Sequence, residues 1–344
     1  MTAPFTVAAV QAAPVYMNRD ATVDKTVALI REAAEGGAKL VNFPETWIPG
    51  YPLWAWMGPV AQSTASVIPY NQASLEVDSA PFRAIQAAAR DNAIHVCLGF
   101  SESHRGTLYI SQALIDDRGE IVFTRRKLKP THVERTIFGN GDGSDFHVAE
   151  TQLGNVGALA CWEHIQPLSK YVMFSDNEQI HCAAWPFLSL YKGVAYSLGP
   201  EINMMASAVY ALEGQCFVLA AGMVVTPEIR DAVATTEEQR ALLSLGGGCA
   251  KIFGPDGSQI SQDLPETEEG LVYAEVDLNL IHIARAAADP AGHYSRPDVV
   301  QVLLDRTRRR PVVEVGSRGG ADPLSSADIV AFGGDGAQEP IPSE

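Results

Sequence analysis

The chain has 344 residues, of which 47% are hydrophobic and 19% charged. That is the composition of a soluble globular protein able to bury a substantial core, as one large domain or two ordinary ones. A formal net charge of −16 argues against nucleic acid or an anionic membrane as the main partner, since both need a basic footprint. Met1–Phe5 lacks a basic n-region and no long apolar stretch follows, so neither a secretory signal nor a transmembrane span is expected. Cys97, Cys161, Cys182, Cys216 and Cys249 are scattered, without CxxC pairs or metal-type Cys/His spacing. This predicts reduced thiols in a cytoplasmic protein, with no disulfide framework and no metal site.

Short β-rich runs alternate with helical patterns along the chain. Thr6–Gln11 reads as a strand, and Val23–Glu35 as a helix with Val27, Ile30 and Ala34 on one face, stopped by Gly36-Gly37. Leu40–Phe43 is a buried strand ending at Pro44-Glu45, and Pro81–Asn92 is a helix leading into a strand over Ile94–Phe100. Leu108–Asp116 and Glu120–Arg125 flank Asp117-Arg118-Gly119, a hairpin signal. Val156–Ala160 is a strand, followed by a helix around Leu168–Ser175 and a strand over Ile180–Trp185. A helix over Ile202–Glu213 and a buried strand over Cys216–Ala221 come next. Lys251–Phe253 and Gln259–Ser261 flank Gly254-Pro255-Asp256-Gly257, a second hairpin, and Leu271–Val276 is the last strand. Crossover units mixed with hairpins predict an α/β protein, with a mixed sheet or two sheets covered by helices. Past residue 305 the composition shifts to a basic run and then to Gly, Ser, Asp and Pro, as in a flexible or partner-dependent tail.

Three strand ends carry chemically useful groups. Glu45 follows a buried strand, where α/β sites gather. The segment Arg125–Arg135 starts at the end of a hairpin strand and carries both charge signs. A solvated loop would account for it alone, but one of its lysines, Lys127 or Lys129, could stabilise a thiolate and an anionic tetrahedral species. In Gly157–His164 an apolar strand stops at Cys161 and turns polar at once. A carboxylate, an ammonium and a thiol suffice for covalent nucleophilic catalysis with a carboxylate as general base. Gly139–Gly143 is glycine-rich but lacks the strand-to-helix context of a dinucleotide site, and reads as a turn.

The runs Phe43-Pro44-Glu45-Thr46-Trp47-Ile48-Pro49-Gly50-Tyr51-Pro52, Arg126-Lys127-Leu128-Lys129-Pro130-Thr131-His132-Val133-Glu134-Arg135 and Gly157-Ala158-Leu159-Ala160-Cys161-Trp162-Glu163-His164 resemble the nitrilase branch of the carbon–nitrogen hydrolase superfamily. Similarity continues through Gln166–Tyr171, Asn177–Gln179, Ala183–Pro186 and Asp289–Asp298, and covers about residues 5–305. The resemblance implies a four-layer α-β-β-α sandwich, a single domain over 1–305, and a tail over 306–344 that is partly flexible or engaged in oligomer contacts. It also implies self-association into dimers and larger spiral or helical oligomers. The family's Glu–Lys–Cys triad falls on Glu45, Lys127 and Cys161, its further glutamate falls on Glu134, and no metal or organic cofactor is needed.

Every tryptophan of the chain (Trp47, Trp54, Trp56, Trp162, Trp185) lies in or near these motifs. Core packing explains any one of them, but the clustering suggests an aromatic-walled pocket. The expected pocket residues are Tyr51, Trp54, Thr131, His132, Phe138, Trp162, His164, Trp185 and Phe187. The run from Cys161 to Tyr171 most resembles the arylacetonitrilases, which implies hydrolysis of an arylacetonitrile or aromatic nitrile to the acid and ammonia. The alternatives are an aliphatic amidase, a carbamoylase or a cyanide hydrolase using the same triad. A rival of another class is a redox-sensing or filament-forming scaffold in which Cys161 is merely oxidisable.

Overall fold

The computed structural model describes residues 3–309. In chain order its elements are β1 (Phe5–Ala12), α1 (Arg19–Glu35), β2 (Ala38–Asn42), α2 (Val60–Ala73), α3 (Ala80–Asp91), β3 (His95–His104), β4 (Thr107–Ile115) and β5 (Ile121–Arg126). There follow β6 (Val148–Thr151), β7 (Gly154–Ala160), α4 (Pro167–Ser175), β8 (Ile180–Phe187), α5 (Pro200–Gly214) and β9 (Phe217–Met223). Next come α6 (Pro227–Val233), α7 (Glu237–Leu242), β10 (Lys251–Phe253), β11 (Gly270–Val276) and α8 (Asn279–Ala287).

The 11-stranded sheet runs β5-β4-β3-β2-β1-β9-β8-β7-β6, with β10 joined to β9 and β11 to β1. It is pinched at its middle. β1 spends most of its length between parallel β2 and antiparallel β11, and only Gln11 and Ala12 reach Gly222 and Met223 of β9. About that pinch the sheet folds into two leaves lying face to face. Strand alternation assigns the layers, because successive side chains point to opposite faces. On β1, Ala8 and Val10 face a core shared with Leu29 and Ile30 of α1 and with Phe82 and Ile85 of α3. Val7 and Ala9 face an inter-leaf core with Cys97, Leu114, Ala158, Cys182 and Leu219. On the second leaf, Leu159, Ala183 and Val218 face Met173 of α4 and Tyr210 of α5. Helix, sheet, sheet and helix follow in that order, the four-layer sandwich expected.

The first hairpin forms as its turn residues require. Gly119 takes φ +82°, and Asp116 N donates to Glu120 O at 2.9 Å. The second does not become a strand pair. Gln259 makes only a bridge to Phe253, because the Ser261 hydroxyl takes the Ile252 N–H that a strand carbonyl would otherwise accept. One compact unit ends at Arg308. Arg306 pairs with Asp176, and the rest of the expected tail, 310–344, lies outside the described residues. Among those described, no helix is long and apolar enough to cross a membrane.

Candidate active site

Glu45, Lys127 and Cys161 follow the C-terminal ends of β2, β5 and β7, and the two leaves bring these ends together. Glu45 is placed by a close approach. A Cβ on Gly99 of β3 would lie 2.0 Å from Pro44 O and 3.2 Å from the Glu45 Cα, so only glycine lets the Pro44-Glu45 corner pack there. Glu45 N also donates to Trp185 O of the other leaf at 3.2 Å. Cys161 stands where β7 breaks into a 3₁₀ turn, with φ +50°, a left-handed conformation that a non-glycine residue holds only against strain.

The ammonium of Lys127 donates to Glu45 Oε1 at 2.7 Å and to Glu134 Oε2 at 2.9 Å, and all three side chains are buried. Glu134 lies on a 3₁₀ turn over His132–Thr136. It is fixed further by the Thr131 N–H at 2.6 Å and the Tyr51 hydroxyl at 2.9 Å. Lys129, the other lysine of the motif, is exposed and reaches Asn140. Glu45, Glu134 and Cys161 have ligand-capable atoms within 4.8 Å of one another, but the Lys127 ammonium already sits on both carboxylates, where a metal ion would have to bind.

One carboxylate oxygen is uncommitted. Glu45 Oε2 is buried and has no hydrogen-bond partner, a costly arrangement unless the atom has a task. Burial lifts the Glu45 carboxyl to about 8, against the pull of Lys127. Burial opposes the charge on Lys127, yet the attraction of Glu134 and Glu45 outweighs it and holds the ammonium firmly protonated. Burial also pushes the Cys161 thiol well above its ordinary value, while Lys127 and the Trp162 backbone N–H pull it down. The resting nucleophile is therefore a thiol, which needs a base to take its proton.

Cys161 opens onto a cavity of about 260 Å³. Tyr51, Thr131, His132, Trp162 and Phe187 line it. Trp54, Phe138, His164 and Trp185 do not. Trp54 and Phe138 flank Tyr70 in a separate cluster, with ring centroids 5.8 and 6.1 Å from it. His164 and Trp185 stack on each other behind the nucleophile, centroids 5.0 Å apart. The wall also contains Trp56, one of the clustered tryptophans though not among the named pocket residues, and Pro186, Leu188, Leu190 and Leu198, which were not expected there. Trp56 stacks on His132 at 5.1 Å, and its indole N–H donates to the Tyr51 hydroxyl at 3.2 Å.

The Carbon-nitrogen hydrolase family profile matches residues 6–286. The chain is 52% identical to "Nitrilase" of Pseudomonas syringae pv. syringae over 96% of its own length and 97% of that protein. It is 50% identical to "Aliphatic nitrilase" of Rhodococcus rhodochrous, covering 89% of this chain and 80% of the relative. With "Arylacetonitrilase" of Aspergillus kawachii the identity is 48%, over 91% and 96%. Among solved structures, a carbon-nitrogen hydrolase of Helicobacter pylori G27 superposes with a TM-score of 0.64 at 17% identity, over 86% of this chain and 97% of that one, a likeness of fold.

Proposed function

The chain belongs to the carbon–nitrogen hydrolase family, and from there we propose that it is a nitrilase acting through a covalent intermediate on Cys161. The observation that carries this reading is a buried Glu45 carboxyl that keeps one oxygen unpartnered and has an oxygen within 4.8 Å of a thiol that burial keeps protonated.

Glu45 takes the thiol proton as the sulfur adds to the nitrile carbon, and the nitrile nitrogen receives a proton to give a thioimidate. A water, deprotonated by Glu45, adds to that carbon; ammonia leaves and a thioester remains. A second water releases the carboxylic acid and restores the thiol, so one nitrile and two waters give one acid and one ammonia. Lys127 and the Trp162 N–H face the atom on which negative charge develops, a place where losing one donor costs about 100–1,000-fold in rate. Glu134, bonded to Lys127, Tyr51 and the Thr131 N–H, holds the ammonium in place.

The cavity supports an arylacetonitrile or aromatic nitrile as substrate, since Tyr51, Trp56, Trp162 and Phe187 offer aromatic surface around the thiol. Relatives named for aliphatic and for arylacetonitrile activity stand at similar identity, so the walls of this chain carry the preference. The enzyme is read as cytoplasmic and self-associating, which light scattering of the purified protein tests in its second part.

The test is ammonia release from phenylacetonitrile, a short aliphatic nitrile and phenylacetamide, with intact-mass spectrometry of the protein. The expected result is fastest turnover of phenylacetonitrile, with an adduct on the wild type that is missing from Cys161→Ala. Faster turnover of the amide overturns the nitrilase reading, and faster turnover of the aliphatic nitrile overturns the substrate class alone.

A further inference from the structure

Behind the nucleophile, and outside the cavity wall, four buried polar side chains form an unbroken line. His164 Nδ1 lies 2.6 Å from the Cys161 carbonyl oxygen, and its Nε2 lies 2.9 Å from His181 Nε2. His181 Nδ1 lies 2.7 Å from Glu178 Oε1, and the Tyr210 hydroxyl meets Glu178 Oε2 at 2.6 Å. Several elements fix the line. His164 follows β7, Glu178 precedes β8, His181 is on β8 and Tyr210 on α5. The Tyr210 ring lies on His181 with centroids 3.9 Å apart, and Trp185 covers His164 while donating to Ser207 at 2.9 Å. Gly157 of β7 makes room for the acid, since a Cβ there would sit 2.0 Å from Glu178 Oε1.

The end of this line at the Cys161 carbonyl fixes its proton order. A carbonyl oxygen only accepts, so His164 Nδ1 carries a hydrogen, and in the neutral ring its Nε2 is then a lone pair. His181 must therefore donate through Nε2, which leaves its own Nδ1 as an acceptor. Glu178 Oε1 has to supply the hydrogen to it, and Glu178 Oε2 accepts from Tyr210. The alternatives with the same proton count move that hydrogen onto the imidazoles, either His181 or, relayed through the Nε2–Nε2 contact, His164, and each creates a buried carboxylate and imidazolium. The charged groups that act on the line are Asp176, which opposes a charge on Glu178, and Arg125 and Glu163, paired to each other at 2.8 Å, so none of them favours that charge separation. Burial pushes Glu178 up to about 8 and both imidazoles well below their ordinary value, the direction the neutral order requires.

The consequence lies in the peptide that His164 holds. The Cys161 carbonyl and the Trp162 N–H belong to one planar trans unit and point in opposite directions. A donor clamping the carbonyl from behind turns the N–H forward, against the sulfur, where it lies. The clamp also opposes relaxation of the left-handed Cys161 backbone, φ +50°.

We propose that His164 is a positioning residue for the reaction, with His181, a protonated Glu178 and Tyr210 behind it as a one-way chain of donors that aims the Trp162 N–H at the reacting centre. This rests on Cys161 being the nucleophile of the proposed nitrilase.

The experiment combines nitrogen-15 NMR of the imidazoles, infrared spectroscopy and steady-state kinetics on the full chain. In the wild type, His164 is expected as the neutral Nδ1–H form and His181 as the neutral Nε2–H form, with an infrared band of a protonated carboxyl that Glu178→Gln removes. His164→Leu is expected to lower kcat about 100-fold with KM within about threefold, the mark of an interaction made only in the transition state. His164→Asn, whose amide nitrogen reaches the position of Nδ1, restores about tenfold of that loss. Glu178→Ala lowers kcat in the same way, and Glu178→Gln, the isostere of the neutral acid, recovers most of it. An imidazolium at His181 or His164, or kcat loss in Glu178→Gln equal to that in Glu178→Ala, overturns the proposal even where a His164 variant fails to fold. Wild-type protein that shows these tautomers but hydrolyses no nitrile leaves the proton order standing and overturns the functional reading instead.

Discussion

Arg125 donates to Glu163 across the gap between the leaves, Nη2 to Oε1 at 2.8 Å, with both side chains buried. Glu163 uses the rest of its capacity on backbone. Oε1 also accepts from Leu128 N at 2.9 Å, and Oε2 accepts from Ala160 N at 2.9 Å. Leu128 follows Lys127 and Ala160 precedes Cys161, so one carboxylate ties the ammonium's strand to the nucleophile's. Arg125 completes the node by donating to Gln112 Oε1 at 2.7 Å and to Asp145 O at 3.2 Å.

Breaking one side of such a pair leaves the other charge buried and costs about 3–5 kcal/mol. Arg125→Met is therefore expected to lower the denaturant midpoint substantially and to reduce activity in the remaining folded fraction. The acid side follows from the same contacts. Burial opposes the Glu163 charge, but Arg125 and the two N–H groups outweigh it and hold the carboxyl below its ordinary range. A depressed folded value contributes stability that is complete above the unfolded value of about 4.3 and is lost as pH falls through the folded one. Urea titrations of wild type and variant between pH 3 and pH 7 check both statements, and equal acid sensitivity of the two proteins refutes the second.

The pH profile of the reaction has its sign set by Glu45. A general base works deprotonated, and burial lifts this carboxyl to about 8, so kcat/KM should climb as pH rises through that region. Lys127 stays protonated there and does not impose a falling limb at neutral pH. Glu134 is one of the charges that raise Glu45, and removing it in Glu134→Gln should move the acid limb to lower pH while reducing kcat at least about tenfold through a loosened Lys127. An acid limb that stays in place when Glu134 is neutralised would show that another group sets it.

Glu45 and Cys161 stood out as candidates because each follows a strand end inside a motif, whereas strand position left Lys127 and Lys129 open and the resemblance chose between them. The pocket wall was less legible, for local reasons. Trp54 and Trp56 share one 3₁₀ turn, Leu53–Trp56, and their opposite fates depend on Tyr70 and Tyr51, residues that only the folded chain brings beside them. The pairing of β8 with β9 shifts register between Ala184 and Phe187. That irregularity sends Phe187 to the cavity and keeps Trp185 in the helix-facing core, a split no alternation pattern contains. Leu188, Leu190 and Leu198 come from a connection without a motif. α2 escaped detection because it carries Pro69 in its interior, and β6 because it has only four residues.

Gly99 gives the most direct test of how the fold sets the base. Its absent side chain admits Pro44 O to 2.0 Å of the Cβ position, and the obstructing atom is backbone, which cannot swing aside. Gly99→Ala should push the Pro44-Glu45 corner away from Cys161 and Lys127, with kcat falling about 100-fold or more, the cost of misplacing a reacting group by roughly 1 Å. A folded variant with wild-type kcat would mean that the corner adjusts without moving Glu45.

Phe187 tests the preference for aromatic substrates. It lines the cavity together with Trp162 and Tyr51 and is almost wholly buried, so its ring offers contact area that a ring-bearing nitrile can use and a short aliphatic one cannot. Removing buried aromatic contact is worth about 1.5–3 kcal/mol, equivalent to roughly ten- to hundredfold in kcat/KM. Phe187→Ala should lower kcat/KM for phenylacetonitrile by that factor and leave the value for a short aliphatic nitrile within about threefold. The ratio of the two substrates, measured on wild type and variant in parallel, separates recognition from damage, because a fold defect or a displaced Cys161 lowers both. Loss of both in equal proportion would assign Phe187 to holding the nucleophile, whose strand end lies across the same cavity, and would leave the selectivity to Trp56 and Trp162.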